Sequence, residues 1–534
     1  MIDPANNRDE IADIWLRDGR IIGGATHADA DEIYDATGKI VMAGGIDIHS
    51  HIASDNVNRA RLLLPEFRAR ATGDSTMAPL QAPPAAIETG RLYAQMGFTT
   101  VVEPAVAPDA ALHAHLELVD IPIIDKAILT VLGNDDFLLN LLREGGSSAM
   151  IADYVGWVLE SSRALGIKVI NPGGSAAFRA DAREFSLDDI VPDFGVSSRQ
   201  IVKALQRAIA DIGVPHPVHL HCNNLGLPGN VETALATIEA AEGQPLHLAH
   251  LQFYAYGKEG ARGFSSSAAR LAEAVNAARN LTIDVGQVMF GQTVTISSDV
   301  LRQFNSRTQA HPRKWMIAES EGNGGGIVPY NYRPKNFYNA VQWAAGLELF
   351  LLIADPSRVF FTTDHPNGAP FTTYPDLLGL LMSRDMRAEW ISKLPSAAQE
   401  VTTLASIDRE YSLGEIATMT RSAPAKLLGL SDRGHLGSGA TADIAVYAPD
   451  TNPAEMFRRA ALVFKDGELV VRNGEITVWR PGRAFCVQPK HDPSIDRHLQ
   501  KYYADRHGLT PDFMRVSEAA LGSVAAFQAV PCAA

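Results

Sequence analysis

The chain has little cysteine: Cys222, Cys486 and Cys532 are its only three in 534 residues. They are too few and too scattered for a disulfide framework, and no Cys-x-x-Cys offers a thiolate site for zinc or an iron–sulfur cluster. A reducing, cytoplasmic compartment is the expectation. Long apolar runs are also missing. The most apolar long segment, Trp343 to Ala354, contains Glu348 and falls short of the ~20 residues of a membrane span, so no membrane association is expected. The first sixteen residues, MIDPANNRDEIADIWL, carry no basic stretch followed by an apolar one, so no signal peptide is read there. Basic excess is absent too: 61 acidic against 47 basic residues give a formal charge of -14, which argues against a nucleic-acid partner. What remains is the composition of a soluble globular protein, with 46% hydrophobic and 20% charged residues.

Within that frame the informative stretch is Gly44-Gly45-Ile46-Asp47-Ile48-His49-Ser50-His51, an apolar strand running into two histidines one residue apart. Side chains alternate across a strand, so His49 and His51 point to one side and can reach one metal ion. Asp47 shares that alternation and is a candidate to orient the two rings as an acceptor.

Apolar strands then alternate with helical patterns. The strand candidates are Lys39–His49, Phe98–Pro104, Asp125–Leu132, Ile167–Asn171, Pro217–Cys222, Leu246–Leu251, Leu281–Val285 and Val359–Asp364. Helix-patterned segments such as Ile87–Met96, Met150–Leu165, Ser198–Ile212, Val231–Ala241 and Ser266–Arg279 separate them. Eight strands alternating with helices predict an α/β fold, a (β/α)₈ TIM-type barrel, whose active site lies at the C-terminal strand ends.

Short strands and turns occupy both chain ends. Ile11–Leu16, the Asp18-Gly19 turn and Ile21-Ile22 are matched by Ala442–Tyr447, Ala461–Phe464, the Asp466-Gly467 turn and Glu468–Arg472. The expectation is a small composite β-domain, residues 1–38 with 415–483, into which the barrel, 39–414, is inserted. Residues 484–534 form a C-terminal extension, with a polar helix around Arg497–Arg506 and an apolar stretch Ala519–Val530. It reads either as a tail packed on the chain's own surface or as a docking segment for a partner protein.

The strand ends supply further candidates. Strand four reads Gly166-Ile-Lys168-Val-Ile-Asn171, with a lysine among apolar neighbours, which is costly unless paired or chemically altered. Carbamylation would turn it into a carboxylate able to bridge two ions. Strand five reads Pro217-Val-His219-Leu-His221-Cys222-Asn223-Asn224, strand six His247-Leu-Ala-His250, and strand eight Phe361-Thr-Thr-Asp364-His365-Pro366. His219 and His247 also read as core or supporting residues. Nitrogen and oxygen ligands of this kind suit zinc, without excluding manganese, nickel or iron.

This pattern resembles the amidohydrolase superfamily. More narrowly, VMAGGIDIHSHIAS, GFTTVVEPAV, IPIIDKAIL, GIKVINPGG, HLHCNNLGLPGN, AHLQFYAYG and TTDHPNGAPFTTYP resemble the amidohydrolase-type subunit of formylmethanofuran dehydrogenase and its counterpart in the methylotroph formyltransferase/hydrolase complex. The resemblance implies zinc, as two ions or one, held by His49, His51, Lys168, His221, His250 and Asp364, with Lys168 as N6-carboxylysine. His221 is preferred to His219 because it lies nearer the strand's C-terminal end. Asp364 is the implied catalytic acid–base group. Asn171, His219, Asn223 and His365 are candidates to contact substrate or order the ligands. Arg313 and Lys314 are candidates for the tail of a methanofuran-type cofactor.

The implied reaction is hydrolysis of N-formylmethanofuran to formate and methanofuran, reversible formamide chemistry of one-carbon metabolism. The implied partners are the other subunits of a formyltransferase/hydrolase complex. Alternatives are the condensing direction in the dehydrogenase, another cyclic or linear amide hydrolase, or a catalytically silent scaffold subunit.

Overall fold

The computed structural model describes residues 1–25, 30–63, 85–180, 182, 184–297, 318–320, 325–522 and 526–533. Arg313 and Lys314 lie outside the described residues. No helix among those described is long and apolar enough to cross a membrane.

Eight parallel strands form the centre: β1 (Gly45–Asp47), β2 (Phe98–Val106), β3 (Asp125–Leu132), β4 (Gly166–Ile170), β5 (His219–His221), β6 (Leu246–Leu248), β7 (Leu281–Asp284) and β8 (Val359–Phe360). They pair in sequence order from β1 to β8. The seam between the last and the first is closed by a parallel bridge between Ser50 and His365, with the His51 amide donating to His365 O at 2.8 Å. The fold is therefore the expected TIM-type barrel, at each of the eight expected strands. Every residue of β2, β3 and β4 is buried. Strands covered on both faces read as continuous apolar runs, which is why these were legible.

Several of the helices around the strands have capped starts. Ser197 and Gln200 form a reciprocal capping box ahead of helix Ser198–Asp211, whose Ile201, Val202, Leu205, Ala208 and Ile209 face the core. Asn336 caps helix Phe337–Leu352 through the Asn339 amide.

The strand expected over Lys39–His49 is two strands. Ile40–Ala43 pairs antiparallel with Ile444–Tyr447 in a separate five-stranded sheet, and β1 begins only at Gly45. The switch occurs at Gly44-Gly45, where the backbone presses on strand β2. A Cβ on Gly44 would lie 2.2 Å from Thr99 Oγ1, and one on Gly45 2.7 Å from Phe98 Cδ1. Only glycine fits this crossing.

Both chain ends meet in this region. The hairpin of Trp15–Arg17 and Arg20–Ile22 turns at Asp18-Gly19, and its Ile21 amide donates to Ala440 O at 2.8 Å. Asp18 (φ 51°) and Gly19 (φ 76°), like Asp466 (φ 50°) and Gly467 (φ 78°), take the left-handed pair that a two-residue hairpin turn requires.

The last residues return to the barrel. β9 (Ala484–Val487) pairs parallel with the start of β3, Ala484 opposite Lys126, and β10 (Phe527–Val530) adds beside it. Between them, helix Ser494–His507 packs on helix Ser148–Ser162, and Trp157 Nε1 donates to Asp496 at 2.6 Å. After β7, strands Gly291–Ser297, Ala318–Ser320 and Gly325–Tyr332 form a three-stranded antiparallel sheet. It leans on the loop that follows Asp364, where the Thr293 hydroxyl donates to Pro366 O.

Candidate metal centre

His49 and His51 leave the end of β1 with their backbones fixed on three sides. The Ser50 amide donates to Val102 O at 3.1 Å, the His51 amide to His365 O at 2.8 Å, and Thr362 Oγ1 to His49 O at 2.6 Å. Asp47 acts here, though not on the rings as expected. Its Oδ1 accepts from the His49 backbone N–H at 3.0 Å, and its Oδ2 from the hydroxyls of Tyr93 and Tyr374. The side chain of Asp47 is anchored below the rings, so it sets where the backbone leaves the strand.

Two other carboxylates hold the rings. His49 Nδ1 lies 2.8 Å from Asp284 Oδ2, and His51 Nδ1 lies 2.9 Å from Glu103 Oε1. Glu103 also accepts from the amides of Ile52 and Ala53 at 2.7 and 3.0 Å. Both carboxylates are fully buried. Reading the sequence did not single them out, although each is a lone acid in an apolar strand, in VVEP of β2 and LTID of β7.

An Nδ1–H that donates to a carboxylate leaves Nε2 as a lone pair in the neutral ring. Those Nε2 atoms converge on Asp364: His49 Nε2 is 3.0 Å and His51 Nε2 3.4 Å from its Oδ1. His49, His250 and Asp364 bring three ligand atoms within 4.8 Å of one another, all buried. His221 stacks edge-on against His250, ring centroids 4.6 Å apart.

Cross-strand register separates His219 from this group. Lys168, His219, His247 and Thr282 are successive partners across β4 to β7, so their side chains share one row on the interior face. His219 Nε2 lies 3.0 Å from His49 Nδ1 and its Nδ1 3.2 Å from His216 Nε2. It therefore sits on the edge of His49 opposite Asp364, while His221, two residues further along, faces His250.

Lys168 is buried among these groups, and its Nζ has no hydrogen-bond partner among the described residues. Burial drives its pKa down to about 8 against the pull of Asp284, Asp364 and Glu103. His250 is pushed down to about 3, by burial first. His51 rises to about 9, because Glu103 and Asp364 overcome the burial that opposes it. Asp364 stays well below the usual carboxylate range: burial would raise it, but the charges of His49 and His250, with the His49 and His51 rings turned toward its carboxylate, prevail.

A divalent ion fits this donor set. Lys168 Nζ, His221 Nε2, His250 Nδ1 and Asp364 Oδ1 are buried polar atoms without a hydrogen bond among the described residues, an expensive arrangement that coordination would relieve. The lone pairs of two imidazoles facing one carboxylate oxygen need a cation or extra protons between them. Nitrogen and oxygen donors of this kind match zinc.

The remaining candidates follow β4, β5 and β8 in the chain. Asn171 follows β4 in a left-handed conformation, φ 42°, with its amide donating to His221 O at 3.0 Å. Asn223 donates from Nδ2 to Ser198 Oγ at 2.9 Å, and its buried Oδ1 has no hydrogen-bond partner among the described residues. His365 accepts the Phe371 amide on Nδ1 at 3.2 Å, and burial together with His51 and Arg61 pushes its pKa down to about 3.

The closed eight-stranded parallel barrel thus carries histidines after β1, a lysine in β4, histidines from β5 and β6 and an aspartate after β8 at one end. Residues 32–478 match the family model described as the amidohydrolase family, and the chain belongs to that family. Its relatives narrow the likeness. It is 47% identical to the FhcA component of the formyltransferase/hydrolase complex of Methylorubrum extorquens over 540 residues, 100% of this chain and 98% of that protein. "Protein FwdA" of Methanocaldococcus jannaschii is 40% identical over 507 residues, covering 89% of this chain and 87% of the relative. The crystal structure of the formyltransferase/hydrolase complex (FhcABCD) from Methylorubrum extorquens with methylofuran contains a chain that superposes at a TM-score of 0.93. That match has 47% identity and covers 100% of this chain and 98% of that one.

Proposed function

We propose that this chain is the hydrolytic subunit of a formyltransferase/hydrolase complex, releasing formate from the formyl group of an N-formylmethanofuran-type cofactor in the cytoplasm. The observation that carries the reading is the end-to-end 47% identity to FhcA, whose complex was crystallised with methylofuran. The buried His49, His250 and Asp364 cluster at the strand ends supports it.

The reaction adds water across a formamide: a C–O bond forms, the C–N bond breaks, and one proton moves from water to the departing amine. His49, His51, Lys168, His221, His250 and Asp364 are the residues we assign to hold zinc, with Lys168 as N6-carboxylysine. Bound zinc would lower the pKa of water from ~16 to about 7 and polarise the formyl carbonyl. Asp364 accepts the proton of the attacking water and returns it to the amine nitrogen, a general base and then a general acid. Held well below the usual carboxylate range, Asp364 is in the ionised form that can accept a proton. Asn223 and His365, which follow His221 and Asp364 in the chain, are the groups we assign to orient the formamide and its amine.

A second reading, the condensing direction implied by the resemblance of these motifs to formylmethanofuran dehydrogenase, has the same site join formate to the amine. Both directions share one transition state and the same residues.

The test is formate release from formylmethanofuran by the purified complex, without redox dye, before and after metal chelation. The expected result is release that chelation abolishes and zinc restores. Undiminished release by metal-free protein, or no release by the zinc-loaded complex, would overturn the proposal.

A further inference from the structure

One carboxylate ties together three of the elements that build the cluster. Asp284, the last residue of β7, is wholly buried and receives four groups. Its Oδ2 lies 2.8 Å from His49 Nδ1, 3.0 Å from His247 Nε2 and 3.4 Å from His219 Nε2, and its Oδ1 accepts the His250 backbone N–H at 2.7 Å. We propose that Asp284 is the positioning residue of the metal centre, fixing His49 through its ring and His250 through its backbone. The inference rests on reading the cluster as a metal site, and it concerns how tightly that site binds rather than which substrate it serves.

Each contact has a distinct effect. At His49, acceptance at Nδ1 selects the tautomer whose Nε2 lone pair faces Asp364. At His250, the backbone is left-handed, φ 34°, a conformation that a bulky residue holds only when its surroundings impose it. The bond from the His250 amide to Asp284 is such a constraint. A second comes from Gly286, where a Cβ would stand 2.4 Å from His250 Cβ. Below, His247 completes the arrangement: Thr282 Oγ1 lies 2.9 Å from its Nδ1, so its other nitrogen is aimed at Asp284. A carboxylate that orients a ligating imidazole also raises its basicity, and losing it typically weakens metal binding ~10- to 100-fold.

The same atoms allow a rival assignment, because His49, His219 and Asp284 also bring ligand atoms within 4.8 Å of one another. The positions of the four groups favour the positioning role. Asp284 is already met by two ring nitrogens and an amide at 2.7 to 3.0 Å, leaving its oxygens engaged.

The experiment uses the full-length chain with Asp284→Asn, stripped of metal and titrated with zinc against a chromophoric chelator, and then loaded with cobalt(II) for its visible spectrum. The expected result is zinc affinity lower by ~10- to 100-fold, an unchanged number of ions at saturation, a shifted cobalt band, and partial recovery of each in Asp284→Glu. Wild-type affinity and spectrum in Asp284→Asn would overturn the proposal. So would the loss of one ion at saturation, which would make Asp284 a ligand. If Asp284→Asn does not fold, Asp284→Glu is read against wild type on the same scale, and wild-type values there would overturn the proposal. Zinc affinity needs no substrate, so failure of formate release alongside the expected shift would overturn only the proposed reaction.

Discussion

Lys465 Nζ lies 2.8 Å from Asp125 Oδ2, both side chains wholly buried, where strand Leu462–Lys465 of the small sheet meets the first residue of β3. Arg433 reaches the same Asp125 oxygen at 2.7 Å, and Asp443 accepts from both cations. Two cations and two carboxylates thus pin the sheet to the N-terminal end of the barrel, on the side away from His49, His250 and Asp364.

Removing one member leaves a buried charge uncompensated. Lys465→Met is expected to destabilise the chain by about 3–5 kcal/mol. A drop in the midpoint of urea unfolding checks this, and an unchanged midpoint would refute it.

The same cluster gives a pH dependence of known sign. Burial would raise Asp125, but Lys465 and Arg433 hold it at about 2, below its ordinary 3.8. A folded-state pKa below the unfolded one adds stability that is complete above the unfolded value and vanishes as pH falls through the folded one. Stability is therefore expected to fall between about pH 4 and pH 2, with a shallower fall in Asp125→Asn. Equal slopes in the two proteins would contradict the assignment.

Gly286 follows β7 by two residues at φ 65°, and a Cβ there would strike His250 at 2.4 Å and approach Asp364 Cβ at 3.3 Å. Gly286→Ala is expected to push His250 out of place, lowering both thermal midpoint and zinc affinity, the latter by at least ~10-fold. Wild-type zinc affinity in this variant would show that His250 is not a ligand.

Lys168→Ala is expected to weaken zinc binding by at least ~10-fold and to abolish any dependence of zinc uptake on bicarbonate. Unchanged metal content and activity would remove Lys168 from the ligand set.

Asp364→Asn keeps an oxygen toward the rings but cannot carry a proton. The expectation is a kcat for formate release lower by ~10² to 10⁴-fold, the range for losing a general acid–base group, with KM changed far less. A kcat within a few-fold of wild type would assign proton transfer elsewhere.

Alternation and apolar runs were enough to locate all eight barrel strands, the paired histidines His49 and His51, and the polar residues at strands four, five, six and eight. These are local signals: a strand buried on both faces must be apolar, and residues one apart in it must share a side. The Asp18-Gly19 and Asp466-Gly467 turns were legible for the same reason, since their left-handed backbone is written in the residues themselves.

Tertiary structure decided what depends on distant neighbours. Gly44-Gly45 ends one sheet and begins another only because strand β2 leaves no room for a Cβ. Register, set by pairing with β4 and β6, places His219 in the row of Lys168 and His247 and leaves His221 to meet His250. Glu103 and Asp284 are single acids in apolar strands with nothing local to mark them, and Asp47, which shares the alternation of His49 and His51, was the expected acceptor. Which carboxylate meets which imidazole is fixed by how β1, β2 and β7 face one another across a closed barrel, and alternation along one strand carries no information about that.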